Sequence, residues 1–471
     1  TPSNYITYSI SMTSTDTTTN DLNVSKFAKF DAWRKRHVSD YVFILLLATV
    51  VGCLAGLGAY AFKHLISLVS GLFTPHISDW AHNWWIVVVP VVGILLTGIF
   101  TRYIIHTNLT HGTAQLLQDL KEKHYSLRRN IMYSPIIGGT ITLGMGGSAG
   151  GEGPIAYAGA AIGSNFGRWL GLQPNMLKVL IGCGAGAGIA GIFSAPIGGL
   201  MFTLELLRIE LTTISVLAVT VSCMASYLTI STCSGFHADL MFTPVAGVDL
   251  SHIIAVLALG IFCGIYSLYY SKVMHHLDIF YKNIRNPWVR NITGGVIVGC
   301  SLLLFPALYS TGYPVMEHVI NGDYTAIVHG SILAPIMDGS WTLMAAAMCI
   351  LLLKCWACAS SNSSGGVAGD FAPTLFAGCI AGLLFGFAWQ YLSGDTLPIG
   401  TFAYLGMAGV MAGAIQAPIM AIFITMEMSG GYEFALPLTV TAIISYIVLR
   451  CGMQGLGLTH RLIEHHAFHH S

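Results

Sequence analysis

Gly150-Gly151-Glu152-Gly153-Pro154 runs directly into Ile155-Ala156-Tyr157-Ala158-Gly159-Ala160-Ala161-Ile162-Gly163. Proline fits the first turn of a helix, because the first amides have no partner within the helix and its missing N–H is no loss. The glycines let backbone approach a ligand closely, and a helix start presents free N–H groups at the positive end of its dipole. The stretch therefore reads as an anion-facing helix start carrying one carboxylate, Glu152. It has a counterpart. Ala368-Gly369-Asp370-Phe371-Ala372-Pro373 leads into Thr374-Leu375-Phe376-Ala377-Gly378-Cys379-Ile380-Ala381-Gly382. Aligning Pro154 with Pro373 also pairs Ala158 with Ala377, Gly159 with Gly378 and Gly163 with Gly382.

A second pair of stretches repeats at nearly the same spacing. Residues 190–205, AGIFSAPIGGLMFTLE, match residues 412–427, AGAIQAPIMAIFITME, at Ala190/Ala412, Gly191/Gly413, Ala195/Ala417, Pro196/Pro418, Ile197/Ile419, Thr203/Thr425 and Glu205/Glu427. Two independent matches at nearly one offset, 219 and 222 residues, indicate an internal duplication. In transporters, paired broken helices from two such halves commonly form the substrate site near the bilayer midplane.

Composition places these helices in a membrane. Of the 471 residues 54% are hydrophobic and 9% charged, and the mean hydropathy is +0.69. A soluble surface needs more polar cover than that. Lys and Arg total 21, as do Asp and Glu, so no basic excess suits a nucleic acid. Apolar segments begin near residues 41, 84, 131, 153, 174, 195 and 212, then near 251, 289, 340, 373, 400, 417 and 434. Segments 153–168 and 195–207 are too short for the roughly 30 Å of hydrocarbon, which takes about 20 residues. Short apolar helices are tolerated where their ends face protein or a cavity. The expected fold is an all-α polytopic membrane protein of two duplicated halves, built from tilted and broken helices.

The expected boundaries are a tail at 1–40, a first repeat at 41–233, a connecting loop at 234–250, a second repeat at 251–452 and a short tail at 453–471. SKFAKFDAWRKRH, with Lys26, Lys29, Arg34, Lys35 and Arg36, reads either as an interfacial helix or as a solvated basic linker. The positive-inside rule puts it, and the basic loop 120–130, in the cytoplasm. Most of the eleven cysteines lie in apolar runs and read as small core residues. Cys355 and Cys358 form a CxxC pattern without a nearby metal-ligand partner, and the His-rich C-terminal run is not assigned a metal. No cofactor is expected.

The motifs G-G-E-G-P at 150–154 and G-D-F-A-P at 369–373, together with Tyr432 in EMSGGYEFALP, resemble those of the CLC chloride channels and proton/chloride antiporters. The resemblance spans about 41–452 with the motifs in matching order. It implies a homodimer in the bilayer, each subunit moving chloride or another small anion, in some members against protons, between two inverted halves. It also implies that Glu152 is the gate. A carboxylate tethered beside helix starts can occupy the anion site itself, and protonation then releases the site; the competing reading is a helix-capping acid. The implied anion-binding set is His111 and Gly112 in one loop, Gly151, Glu152 and Gly153 in the next, the backbone amides of Asp370, Phe371 and Ala372, and the hydroxyl of Tyr432. A tyrosine hydroxyl donates to an anion without adding a full charge, although an interfacial or core tyrosine is the plainer reading.

Three positions depart from the family pattern. His111, in Thr110-His111-Gly112-Thr113-Ala114, stands where the family usually carries a serine. Either its imidazole donates to the anion, with a charge that titrates near neutrality, or it turns aside and leaves the loop amides in contact. Asp370 stands where an apolar residue is common, and its side chain is expected to point away or cap its own helix. Leu206 stands where antiporters carry a proton-relaying acid, next to Glu205, whose role reads as structural. The expected function is thus channel-like or weakly proton-coupled anion transport, with proton/chloride exchange as the alternative. A sodium-coupled organic-solute permease is the more distant one. No enzyme is expected: Glu152, His111 and Ser148 are candidate groups, but no HExxH or GxSxG arrangement accompanies them. The short stretch after the last apolar segment suggests a prokaryotic-type, membrane-only form in an inner membrane.

Overall fold

Pro154 and Pro373 occupy the same place in two helices, Glu152–Trp169 and Phe371–Ser393, each in the third position of its first turn. The computed structural model containing them describes residues 36–73, 84–106, 109, 112–235, 252–334, 339–430 and 432–455. The N-terminal tail up to residue 35, His111, most of the 234–250 connection and the His-rich C-terminal run lie outside the described residues.

Sixteen α-helices are present among the described residues. The first eight are α1 Asp40–Phe73, α2 Trp85–Ile99, α3 Gly112–Lys121, α4 Ser134–Gly144, α5 Glu152–Trp169, α6 Pro174–Phe193, α7 Pro196–Met201 and α8 Thr213–Ser234. The second eight are α9 Ile253–Asn283, α10 Pro287–Leu304, α11 Tyr313–Ile320, α12 Ser340–Ser363, α13 Phe371–Ser393, α14 Ile399–Ile415, α15 Pro418–Ser429 and α16 Ala435–Gly455. Nine spans among the described residues are long and apolar enough to cross a membrane, while 196–206, α14 and α15 are shorter. The helix starts fall within a few residues of those read from the sequence. The reading missed α3 and α11, which are short and mix polar with apolar residues.

The duplication is visible in the packing. In the first half α5 lies on α6, and α1 packs on α6 and α8. In the second half α13 lies on α14, and α9 packs on α14 and α16. Small residues set the closeness of the inner pairs. A β-carbon on Gly159 would stand 2.1 Å from the carbonyl oxygen of Gly184, and one on Gly184 would stand 1.9 Å from that of Gly159. Gly378 and Gly406, their repeat mates, block one another in the same way at 2.3 and 2.2 Å. Such notches let helix backbones approach closely where lipid tails supply no hydrophobic drive for association.

The halves are clasped reciprocally. Pro196 and Pro418 open α7 and α15, leaving amides at each helix start without partners in their own helix. Glu427 of α15 accepts from Ile197 N at 3.0 Å and Gly198 N at 2.7 Å. Glu205 accepts from Ile419 N at 3.3 Å and Met420 N at 2.8 Å. Each half therefore caps a helix of the other, and Glu205, read from the sequence as structural, is one of the two capping acids. Glu205 and Leu206 lie in a wide π-type turn, 202–206, that continues α7. An isolated antiparallel bridge joins Gly150 to Gly369, with mutual N–H to carbonyl bonds of 2.8 and 2.6 Å. Because equivalent residues pair while the chain runs in opposite senses, the halves meet about a local two-fold axis. This is the inverted arrangement of the duplicated fold.

Candidate anion site

The bridge places the starts of α5 and α13 face to face. Glu152, 1% exposed, opens α5 but does not cap it. Its carboxylate reaches across to the start of α13, where Oε1 accepts from Phe371 N and from Ala372 N, the latter at 3.0 Å. Oε2 is buried without a hydrogen-bond partner. The carboxylate is itself an anion held at a helix start. It uses the two leading amides of an apolar helix and the positive end of its dipole, an interaction worth up to about 2 kcal/mol when partly buried.

Glycine makes the seat possible. A β-carbon on Gly150 would lie 2.1–2.4 Å from the carboxyl atoms of Glu152, and one on Gly369 would lie 2.9 Å from Oε1. The floor of the seat therefore has no side chains. Gly112 is brought to the same place, since a β-carbon there would lie 2.6 Å from the carbonyl oxygen of Gly153. The hydroxyl of Tyr157 donates to Asp119 Oδ2 at 3.0 Å, which ties α3 to α5. Phe202 meets Phe371 edge-on with ring centroids 5.9 Å apart.

The structure thus gathers Gly112, Gly151, Glu152, Gly153, Phe371 and Ala372 around one point. Asp370 belongs to the same turn, but its carboxylate faces α12, where it accepts from Asn362 Nδ2 and from Cys358 Sγ, the latter at 3.5 Å. It points away from the anion seat, as its charge requires, and makes no side-chain cap on α13. Tyr432, 53% exposed, opens a short 3₁₀ turn at 432–434, apart from the bonds that hold Glu152. Cys355 and Cys358 are both free thiols. Sequence reasoning passed over Lys354, fully buried in α12, whose Nζ donates to Ser148 Oγ at 2.9 Å. Its signal was a single basic residue inside the apolar run Leu351-Leu352-Leu353-Lys354-Cys355-Trp356.

Duplicated halves meeting at two helix starts, with a side-chain carboxylate seated between them, define a polytopic integral membrane protein. Residues 93–450 match the family model described as voltage gated chloride channel, and the chain belongs to this CLC family of anion transport proteins. Its relatives include the H(+)/Cl(-) exchange transporter ClcA of Vibrio vulnificus, 28% identical over 451 residues, covering 91% of each chain. The voltage-gated ClC-type chloride channel ClcB of Salmonella typhi is 26% identical over 421 residues, covering 86% of this chain and 95% of the relative. Among solved structures, the chain is similar in fold to a slow cyanobacterial Cl-/H+ antiporter, with a TM-score of 0.73 at 21% identity, covering 89% and 98% of the two chains. It is also similar to a CLC-type fluoride/proton antiporter, with a TM-score of 0.71 at 22% identity, covering 86% and 95%.

Proposed function

We propose that the protein moves chloride across the membrane through a pathway gated by Glu152, with little or no coupling to protons. The observation that carries this reading is the Glu152 carboxylate on the amides of Phe371 and Ala372. While seated it excludes another anion. On protonation at the unpartnered Oε2 it loses its charge and gives up the seat. Weak coupling rests on Leu206, which stands where exchangers of the family carry a proton-relaying acid and has no group to hold a proton on its way to or from Glu152. A strict proton/chloride exchanger is the second reading, favoured by the relative named as an exchange transporter and by the proton acceptor already present in Glu152.

The protein is read further as a homodimer of independent pathways in a prokaryotic inner membrane, with the N-terminus cytoplasmic. It acts as a transporter, not an enzyme, and uses no cofactor. Reconstitution in liposomes under a chloride gradient and a varied pH gradient tests the reading. The reversal potential should follow chloride alone, and a shift with the pH gradient at fixed stoichiometry would establish exchange instead. Glu152→Gln should keep chloride flux and lose its pH dependence. Wild-type pH dependence persisting in that variant would remove Glu152 from the gate.

A further inference from the structure

Lys354 is a second charge behind the anion seat, and the gate itself makes no use of it. The residue is 0% exposed, in the middle of α12. Its ammonium donates to Ser148 Oγ at 2.9 Å and to the Ser310 carbonyl at 3.5 Å, and lies 4.7 Å from the centre of the Phe376 ring. Among the described residues no carboxylate lies within ion-pair distance of it. A buried ammonium is retained where something neutralises it, and an intramembrane charge is costly enough to mark an ion pathway.

Two of its three contacts, Ser148 and Phe376, lead to the seat. Ser148 lies two residues before Gly150, which forms the floor beneath Glu152. Ser148 N donates to Ser361 Oγ at 3.0 Å, fixing this loop to the same α12 that carries Lys354. Phe376 lies in α13, one turn beyond the amides that hold the carboxylate. The ammonium therefore stands behind the site, bonded to one wall and stacked on the other, and reaches the anion through its field. Serine, a carbonyl and an aromatic face orient the charge but leave it un-neutralised.

We infer that Lys354 is the fixed cation of the pathway, a residue whose charge sets how tightly the start of α13 holds an anion. That anion is either the carboxylate of Glu152 or the chloride that replaces it. This rests on the reading of Glu152 as the gate. A purely structural lysine would affect folding and leave chloride affinity alone.

The test is calorimetric titration of the purified full-length protein with sodium chloride, in the Glu152→Gln background where the seat is open. Lys354→Gln keeps polar contacts near Ser148 without the charge, and Lys354→Met removes both. Each should bind chloride about tenfold more weakly, the order expected when a fixed charge is removed from a site screened less than bulk water. The thermal midpoint of Lys354→Met should not fall, since an apolar side chain replaces a buried ion. Ser148→Ala, which keeps the charge but frees its head, should weaken binding two- to threefold and carries the test if Lys354→Met does not fold. Affinities within twofold of the background in every folded variant of Lys354, or an unchanged affinity in Ser148→Ala where neither Lys354 variant folds, would overturn the inference. Absence of chloride binding in the background itself would count against the proposed function instead.

Discussion

Gly150 shows how one missing side chain can leave room for a buried carboxylate. The residue has no positive φ to demand glycine, and its backbone serves the bridge in a conformation that alanine also adopts. What forbids a methyl group is the carboxylate of Glu152, 2.1–2.4 Å from where the β-carbon would stand. Gly150→Ala should therefore expel Glu152 from the seat. Relieving such an overlap costs about 1–3 kcal/mol, enough to move the seated-to-free ratio by roughly 5- to 150-fold. The expected outcome in a liposome efflux assay is chloride flux at neutral pH raised toward that of Glu152→Ala, with a flattened pH profile. Flux and pH dependence equal to the parent would mean that the seat tolerates the methyl group. Glu152 itself was legible in the sequence, because glycine, proline and an acid at a helix start have a local meaning. Its partners were legible only as a motif elsewhere, since the bond to Ala372 joins residues 220 positions apart. Lys354 escaped for the same reason: its meaning comes from Ser148 and Phe376, on other elements.

At the scale of elements, the helix starts at Pro196 and Pro418 each depend on an acid from the opposite half. Glu427→Ala leaves the amides of Ile197 and Gly198 without their acceptor, and loss of a cap of this kind costs about 0.5–2 kcal/mol. Glu205→Ala should cost a similar amount at Ile419 and Met420. Glu427→Gln and Glu205→Gln, which keep a carbonyl acceptor, should recover most of it. Thermal melting in detergent measures both, and an alanine variant as stable as the parent would show that these amides find other acceptors. The repeat that reveals Glu205 and Glu427 is plain in the sequence, as are the starts of most helices, because proline and apolar runs are local signals. Helices α3 and α11 were missed because their faces alternate over too few residues for periodicity to register. The left-handed caps at Ser194 and Gln416, with φ of 55° and 60°, were missed because neither residue is glycine.

At the scale of the molecule, two inner helices carry the densest packing. Of the most apolar stretches of α6 and α13, 83% of residues are buried inside the protein, against 33% to 50% for the other spans. These two helices are held by protein on nearly every side, and the outer ones present apolar side chains outward, among them Leu46 and Leu57 of α1 and Leu257, Ile261 and Ile265 of α9. Opening by a side-chain rotation at Glu152 disturbs none of that packing, whereas rocking one half would break the glycine bridge and both acid caps. A disulfide across the halves should therefore leave chloride flux intact. One cysteine on α7 and one on α15, at positions whose β-carbons lie about 3.5–4.5 Å apart, suits the test and leaves both capping acids in place. Flux abolished by oxidation and restored by reduction would require the halves to move.

The reciprocal caps also bear on how the chain comes to exist. When the ribosome has released only the first half, the amides of Ile197 and Gly198 sit in the membrane interior with their acceptor not yet synthesised. Each orphaned amide is a standing penalty of about 1–3 kcal/mol. The first half is thus an unfinished intermediate, exposed to quality-control proteases, until Glu427 arrives. Mutual completion then becomes a checkpoint in assembly: two fragments cut within 236–250 and produced together should find one another and conduct, while either produced alone should be degraded.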